Sequence, residues 1–392
     1  MPSKHLVTVA FVVLCVACGG CGAPIDMASD PAVSDGSMAP LFEVDPLWPN
    51  PLPNHWLLGS TIGVGVDSRD HVWIIHRGNL ANNEIPAALD PPNAEACCFP
   101  APPVLEFDAE GTLVASWGGP GAGYDWPISN HGIVVDPMDN VWIGGNGGAD
   151  SHVLKFSRTG DFLMQVGEAG HAVPNSNAEN HFSRVAKLSF DAEANEMYLA
   201  DGYGNKRVAV IDATTGDLKR FWGAYGNVPS DDNLGAYDPS APPSQQFRNP
   251  VHCADPTDDG YVYVCDRPGD RIQVFQKDGT FVAEIIVEGN TRGSGSAWDV
   301  AFSPDPAQTF IYMADGTNEK VHIIRREGLE YVYNFGDGGR TPGQFYGAHS
   351  IATDSQGNIF VTETYEGKRV QKFVYRGMGP APSGSVGVVR PD

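Results

Sequence analysis

The sequence predicts an all-β fold, a six-bladed β-propeller of four-stranded repeats whose ring is closed by an N-terminal strand. Its 392 residues include 46 glycines and 31 prolines, a composition typical of many short strands joined by turns. Six segments share one pattern: an apolar strand, a polar turn, then a β-branched or aromatic strand. They recur at intervals of about 50 to 70 residues, the spacing of propeller blades. The segments are Gly63–Arg77, Gly132–Asn146, Leu188–Gly202, His252–Arg267, Val300–Gly316 and Ser350–Thr364.

Further strands complete most of the blades. Each segment is followed by a third strand and the first five by a fourth, as with Val104–Phe107 and Leu113–Trp117 in the first repeat. The sixth repeat lacks a fourth strand, whereas Leu41–Leu47 is a spare strand at the other end of the chain. We therefore predict that this strand completes the sixth blade, and that the propeller covers residues 41–376.

The N-terminal residues have the pattern of an export signal. Lys4 precedes an apolar run of about twelve residues, Leu6–Ala17, which is too short to span a bilayer. We expect a signal peptide over residues 1–23, with two alternative outcomes. Cleavage after Ala23 would release a periplasmic or secreted protein, whereas lipidation of Cys18 would tether it to the membrane of the cell envelope. Residues 24–40 are predicted to be a flexible tether, and residues 377–392 a flexible tail.

The charge balance restricts the partners. With 25 Lys and Arg against 48 Asp and Glu, the formal net charge is −23. Such a surface repels phosphate backbones and anionic lipids, which argues against nucleic-acid binding. A closed propeller needs no second copy to complete its core, so we expect a monomer.

Four of the seven cysteines lie in the body of the chain. Cys253 and Cys265 flank a turn, so we name them as a disulfide candidate across a hairpin. Cys97 and Cys98 are adjacent. Because a disulfide between neighbouring residues is uncommon, we expect two free or separately paired thiols there.

Three histidines share one position in the repeat. His131, His252 and His349 each lie ten residues before the matching residue of the second strand, in repeats two, four and six. Alternate blades lie about 120° apart around the channel, so the three imidazoles should converge on its axis. Three imidazoles with open positions are what a catalytic zinc needs. The alternative is that they line the channel and hydrogen-bond to water or backbone.

Polar residues that follow the second strands should form the rim of the same mouth. Arg77 and Arg267 follow the second strands of repeats one and four, and Tyr203 follows that of repeat three. Either arginine could hold a carboxylate through paired hydrogen bonds. The phenol of Tyr203 could act as a base. The alternatives are surface ion pairs for the arginines and aromatic packing under a loop for Tyr203.

An acidic residue precedes a basic one by five or six positions in three repeats. This spacing resembles NHL-repeat propellers, and we expect ion pairs within the blades. The pairs are Asp201 with Arg207, Asp266 with Arg271, and Asp315 with Lys320.

From Leu41 to Phe373 the chain resembles peptidyl-α-hydroxyglycine α-amidating lyase, a six-bladed propeller with NHL-type repeats. The most specific matches are His-Arg-Gly at 76–78, Asp-Gly-Tyr-Gly-Asn-Lys-Arg-Val at 201–208 and the three phased histidines. The resemblance implies zinc on those histidines, Arg77 and Tyr203 as catalytic residues, and Arg77 and Arg267 as substrate-binding residues. It also implies cleavage of a carbinolamide, carried by a peptide or small molecule with a carboxylate, to an amide and glyoxylate.

Two positions depart from that family. The family has Met two residues before the third histidine and Asp directly after it, where this chain has Gly347 and Ser350. The Asp is associated with a structural calcium, so Ser350 argues against calcium. The missing Met alters the pocket floor, which leaves another small α-hydroxy or carbonyl compound open as the substrate.

Two other functions compete with the lyase. One is a non-catalytic NHL-repeat propeller that binds a peptide, a glycan or a protein partner. The other is a lactonase-type propeller hydrolase, in which Glu, Asn and Asp hold calcium. Hard cations prefer such oxygen ligands to imidazoles, so the histidine trio argues against the hydrolase.

Overall fold

The computed structural model describes residues 38–179 and 181–382, which form six four-stranded antiparallel sheets. The first strands of neighbouring sheets contact each other around a ring, so each sheet is a blade and its first strand lines the channel. The predicted six-bladed β-propeller is confirmed. The expected signal peptide, Cys18 and residues 24–37 of the expected tether lie outside the described residues, as do residues 383–392.

The strands follow the order of the repeats, from the channel outward. Blades 1 to 3 comprise Thr61–Val66, Val72–His76, Val104–Phe107 and Leu113–Trp117; Asn130–Val135, Val141–Gly145, His152–Phe156 and Phe162–Gly167; and Lys187–Asp191, Glu196–Asp201, Arg207–Asp212 and Leu218–Trp222. Blades 4 to 6 comprise Val251–Pro256, Tyr261–Asp266, Arg271–Gln276 and Phe281–Ile286; Asp299–Phe302, Phe310–Asp315, Lys320–Arg325 and Glu330–Phe335; and Ala348–Thr353, Ile359–Glu363, Arg369–Pro380 and Met38–Asp45.

The ring is closed as predicted. Met38–Asp45 is the outermost strand of blade 6 and pairs antiparallel with Arg369–Pro380. Both strands are longer than expected: Met38 lies opposite Pro380, so residues 38–40 belong to the blade rather than the tether, and residues 377–380 to the blade rather than the tail. The two extensions pair with each other, and neither segment on its own has a sequence pattern that predicts a strand.

Acidic turns close the inner hairpins. Asp67 Oδ1 accepts hydrogen bonds from the backbone N–H groups two and four residues later, and Asp136 Oδ1 does the same in blade 2. The other carboxylate oxygen of each accepts from an indole Nε1, of Trp73 and Trp142 respectively, at 3.1 Å. Both indoles are fully buried. The turn carboxylates of the repeat therefore fix large core side chains between the blades.

Buried ion pairs tie second strands to third strands. Asp201 pairs with Arg207, and Asp266 with Arg271, both at 2.9 Å, as predicted. Asp315 lies 3.2 Å from His322. In blade 6, Glu363 and Arg369 supply the equivalent contact at 2.5 Å.

The four cysteines of the described residues form two disulfides. Cys253 and Cys265 face each other in the inner hairpin of blade 4 and are bonded, which confirms the predicted pair. Cys97 and Cys98 are bonded to each other, so the expectation of free or separately paired thiols is wrong. Among the described residues the other two cysteines already pair in blade 4, which leaves these two only each other.

Short elements complete the described chain. Trp56–Leu57 and Phe99–Pro100 form a small parallel pair, and three 3-10 turns occur at Ala224–Gly226, Arg267–Gly269 and Glu327–Leu329. Within residues 38–179 and 181–382, no helix has the length and apolar character needed to cross a membrane.

Candidate metal centre

Three innermost strands present a histidine at their second residue. His131, His252 and His349 begin blades 2, 4 and 6 in this way. In each blade the pairing with the second strand shifts register at the histidine. Such β-bulges re-aim side chains, and here the irregularity coincides with the imidazoles that meet in the channel.

The structure brings the three predicted histidines together. Their ring centroids are 4.8 Å (His131–His349), 4.9 Å (His252–His349) and 5.2 Å (His131–His252) apart. One ring nitrogen from each lies within 4.8 Å of the others, and every ring is almost completely buried. This is the donor set of a three-histidine metal site.

Backbone contacts orient two of the rings. Nδ1 of His131 is 2.6 Å from the Ala186 carbonyl oxygen, and Nδ1 of His252 contacts that of Trp298. In the neutral tautomer that donates from Nδ1, Nε2 is left as an acceptor, the form a metal-binding histidine takes. Nδ1 of His349 has no hydrogen-bond partner among the described residues.

Two acceptor nitrogens, Nε2 of His131 and Nε2 of His252, face one hydroxyl group, which can donate a hydrogen bond to only one of them. The Tyr203 hydroxyl lies 3.1 Å from Nε2 of His131 and 3.1 Å from Nε2 of His252. A hydroxyl has one proton to donate, so one of the two nitrogens is left without a donor. A metal cation would satisfy both, so the donor set fits zinc.

Burial keeps these imidazoles neutral. Because burial penalises the charged form, the pKa of each histidine lies well below its ordinary value of 6.5. The positive charges of Arg77 and Arg267 lower the pKa of His131 and His349 further. The three side chains are therefore available as ligands at neutral pH.

Tyr203 and Arg267 lie next to the three histidines and contact each other. Arg267 Nη1 donates to the Tyr203 hydroxyl at 3.0 Å, and its guanidinium stacks 4.4 Å from the Trp298 ring centroid. Its buried Nε has no hydrogen-bond partner among the described residues. The guanidinium thus keeps an unused donor.

Arg77, unlike Arg267, contacts residues beside the histidines rather than Tyr203. Its Nε donates to the Asn130 carbonyl oxygen at 3.1 Å, directly before His131, and its Nη2 donates to Asn146 Oδ1 at 2.9 Å. Arg77 therefore holds the strand that carries a metal ligand, and it makes no hydrogen bond to Tyr203 or to the imidazoles.

Two further residues at this rim, Asn146 and Arg184, were not predicted from the sequence. Asn146 binds Arg77, and it follows the second strand of blade 2 as Arg77 and Arg267 follow theirs, so the repeat itself contained the signal. Arg184 donates from Nε to the Asn146 carbonyl oxygen at 2.8 Å, and its guanidinium lies 6.0 Å from the Tyr203 ring centroid. It sits in a loop outside the repeat, where no pattern marks it.

The odd-numbered blades place different residues beside the histidines. Lys187 of blade 3 forms ion pairs with Asp299 of blade 5 at 2.5 Å and with Asp255 of blade 4 at 2.8 Å. Burial alone would lower the pKa of Lys187, but the two carboxylates outweigh it and raise the pKa above its ordinary value. Lys187 is thus a fixed positive charge in the channel.

The sequence is similar to those of several known proteins. No family model matches the sequence. The chain is 24% identical over 353 residues to peptidyl-α-hydroxyglycine α-amidating lyase 1 of Drosophila melanogaster, across 84% of this chain and 59% of that protein. It is 26% identical over 304 residues to NHL repeat-containing protein 3 of Mus musculus, across 76% of this chain and 71% of that protein.

This chain is a distant homologue of both proteins. The resemblance found in the residues is thereby confirmed, although the chain spans only 59% of the length of the fly lyase. A solved Bacteroides thetaiotaomicron protein of unknown function matches the fold with a TM-score of 0.52 at 12% identity, covering 87% of this chain and 77% of that one. That match supports the propeller fold alone.

Proposed function

We propose that the protein is a zinc-dependent carbon–nitrogen lyase, which cleaves a carbinolamide-type substrate to an amide and glyoxylate or acts on a related small α-hydroxy compound. The observation that carries the proposal is the convergence of two acceptor imidazole nitrogens on Tyr203, which in turn accepts from Arg267. The distant relationship to an amidating lyase supports the same reaction class.

His131, His252 and His349 would hold the zinc. When bound, zinc supplies Lewis acidity towards a hydroxyl oxygen. The rings are neutral and buried, and two of them are oriented by backbone carbonyls, so little rearrangement is needed to present three nitrogen ligands.

Tyr203 would move the protons of the reaction. The substrate hydroxyl gives up its proton, its oxygen forms the aldehyde C=O as the C–N bond breaks, and the departing nitrogen takes a proton. The Tyr203 side chain is half-buried beside the histidines, and its hydroxyl oxygen accepts a hydrogen bond from Arg267 at 3.0 Å. Tyr203 can therefore act as the base and return the proton to the amide.

The arginines would hold the carboxylate that becomes part of glyoxylate. Arg267 has an unpaired Nε within the site, and the guanidinium of Arg77 lies at the same mouth. Arginine suits this role because its planar fork matches a carboxylate. Two rim arginines in a chain of net charge −23 favour an anionic substrate.

Metal analysis tests the proposal first. We expect about one zinc per chain in the purified protein and none in the variant with His131, His252 and His349 all replaced by Ala. His171→Ala is the control, since its side chain is exposed on a loop. Incubation with an α-hydroxyglycine peptide should then yield glyoxylate from the zinc-loaded protein only. Zinc retained by the triple variant, or no glyoxylate from any α-hydroxyglycine compound, would contradict the lyase.

A binding propeller is the second candidate. The similar identity to NHL repeat-containing protein 3, over a larger share of that protein, favours it. A non-catalytic propeller would bind its peptide, glycan or protein partner equally well after the three histidines are replaced. Equal binding by the triple variant, together with no metal in the wild type, would favour this candidate.

We further propose that the protein is exported and acts as a monomer, either released or tethered through Cys18. The N-terminal charge and apolar pattern supports export, and the disulfide in blade 4 suits an oxidising compartment. Mass spectrometry of the mature N-terminus would distinguish cleavage after Ala23 from lipidation of Cys18.

A further inference from the structure

The ammonium group of Lys187 contacts oxygen atoms of two other blades in the channel. Lys187 Nζ is 2.5 Å from Asp299 Oδ1, 2.8 Å from Asp255 Oδ1 and 3.1 Å from the Val300 carbonyl oxygen. Its side chain is 13% exposed, so the charge is largely withdrawn from water. Two carboxylates and a carbonyl around one positive charge are the kind of oxygen set that a hard divalent cation takes.

The same network reaches each histidine. Ala186, whose carbonyl binds His131, directly precedes Lys187, and Trp298, whose carbonyl binds His252, directly precedes Asp299. Asp299 Oδ2 also accepts from Ser350 Oγ at 2.6 Å and from the Ile351 N–H at 3.1 Å, next to His349. The ammonium therefore lies beside the residues whose neighbours orient two of the rings, and its partner Asp299 holds the residues that directly follow the third histidine.

We infer that Lys187 is the resident cation of this channel: its ammonium takes the place of a structural divalent ion, so that within the described channel a metal binds at the histidine trio and not at Asp255 and Asp299. Asp299 is buried and Asp255 is only 14% exposed, so the two carboxylates need a compensating positive charge, which Lys187 supplies from within the chain. Calcium, which that family associates with the Asp that Ser350 replaces here, does not fit at these oxygens, because a second cation would meet the ammonium there. Cys253 lies close to Asp255 and Asp299, but its sulfur is in a disulfide and cannot act as a thiolate ligand.

This inference goes beyond the proposed lyase and does not depend on it. Calcium binding by equilibrium dialysis and thermal unfolding are its readouts, so a failed glyoxylate assay leaves the result unaffected. Calcium is the probe because imidazole sites do not select it. The wild type should bind no calcium, and millimolar calcium should leave its Tm unchanged.

Replacing the ammonium should create the missing site. We expect Lys187→Met to bind about one calcium per chain, with a Tm that rises as calcium is added. Lys155→Met is the matched control: Lys155 is also buried and pairs with a single carboxylate, Asp136, outside the channel. It should gain no calcium.

A second variant tests the inference if Lys187→Met folds poorly. Adding Asp255→Asn removes one of the unpaired negative charges, so the double variant should be more stable without calcium than Lys187→Met. Calcium binding by the wild type, no calcium gained by a folded Lys187→Met, or a double variant less stable than the single one would each overturn the inference.

Discussion

Arg267 donates a hydrogen bond of 3.0 Å to the hydroxyl oxygen of Tyr203. That oxygen also faces the Nε2 atoms of His131 and His252. Arg267 donates from one side, and two acceptor nitrogens lie on the other, so the hydroxyl proton is directed towards an imidazole nitrogen. The relationship makes Tyr203 the candidate base and separates its role from metal binding, since the nitrogen ligands come from the histidines.

Tyr203→Phe should lower the turnover of an α-hydroxyglycine peptide by about 10²–10⁴-fold, the usual contribution of a general base. Its zinc content should stay that of the wild type, because the three ligands are unaltered. Steady-state glyoxylate release and metal analysis on one preparation check both statements. An unchanged rate would exclude Tyr203 as the base, and lost zinc would make it a ligand.

Arg77→Gln should raise the KM of a substrate with a free carboxylate by about 10- to 100-fold, the cost of a lost charge-assisted hydrogen bond. The carboxamide analogue should be bound equally poorly by wild type and variant. Arg376→Gln is the control, since Arg376 is exposed and pairs with Glu43 at the outer strand of blade 6, away from the channel. Equal losses on both substrates would refute the carboxylate contact and point to Arg77 as a support for the His131 strand.

Replacing both Cys253 and Cys265 by Ala should lower the free energy of unfolding by about 2–4 kcal/mol, because the closed loop no longer restricts the unfolded chain. The matched variant with Ala at both Cys97 and Cys98 should change it by less than about 0.5 kcal/mol, since adjacent residues enclose almost no loop. Chemical denaturation followed by fluorescence measures both. A larger loss from the second variant would contradict the argument from loop size.

Asp270→Asn should make stability less dependent on pH. Burial, reinforced by Asp315 and Asp266, raises the pKa of Asp270 to about 8 from an ordinary 3.8. Between these values the folded state binds more protons than the unfolded state, so wild-type stability falls as pH rises from about 4 to about 8. Asparagine removes this loss and keeps an oxygen for the Ser296 N–H, which Asp270 Oδ1 binds at 2.9 Å. The variant should be about 1–3 kcal/mol more stable at pH 8 and similar to wild type near pH 4.

Glu196→Gln should change stability with the opposite pH dependence to Asp270→Asn. Burial opposes ionisation of Glu196, but hydrogen bonds from Arg220 and Lys219 outweigh it and hold the pKa at about 2. This stabilisation is present above the ordinary value of 4.5 and is lost as pH falls towards 2. The variant should be the less stable one at pH 7, with the difference closing below pH 4. Thermal unfolding across pH 3–9 for both variants tests the pair, and the same sign for both would contradict the assignments.

The features that could be predicted from the sequence are those that the repeat determines. A propeller converts position within a repeat into position around the channel, so three histidines in phase had to meet, as did Tyr203 and Arg267 after their second strands. The same phasing places Lys187 and Asp299 beside the histidines, but position within a repeat does not specify which side chains pair across the channel, as Lys187 does with Asp255 and Asp299. Arg184 reaches the rim from a loop whose course no repeat dictates, and the pairing of Met38 with Pro380 joins two segments that lack a strand pattern.

The closure of blade 6 brings the two ends of the described ring to one place, where Met38 faces Pro380. The N-terminal strand of the described chain must therefore wait for the C-terminal strand of that chain before blade 6 can form, so the ring stays open until that strand has been synthesised. The same proximity makes the order of blades independent of where the chain begins. A circular permutant, with these ends joined by a short linker and new ends in the loop between blades 3 and 4, would keep every neighbour around the channel.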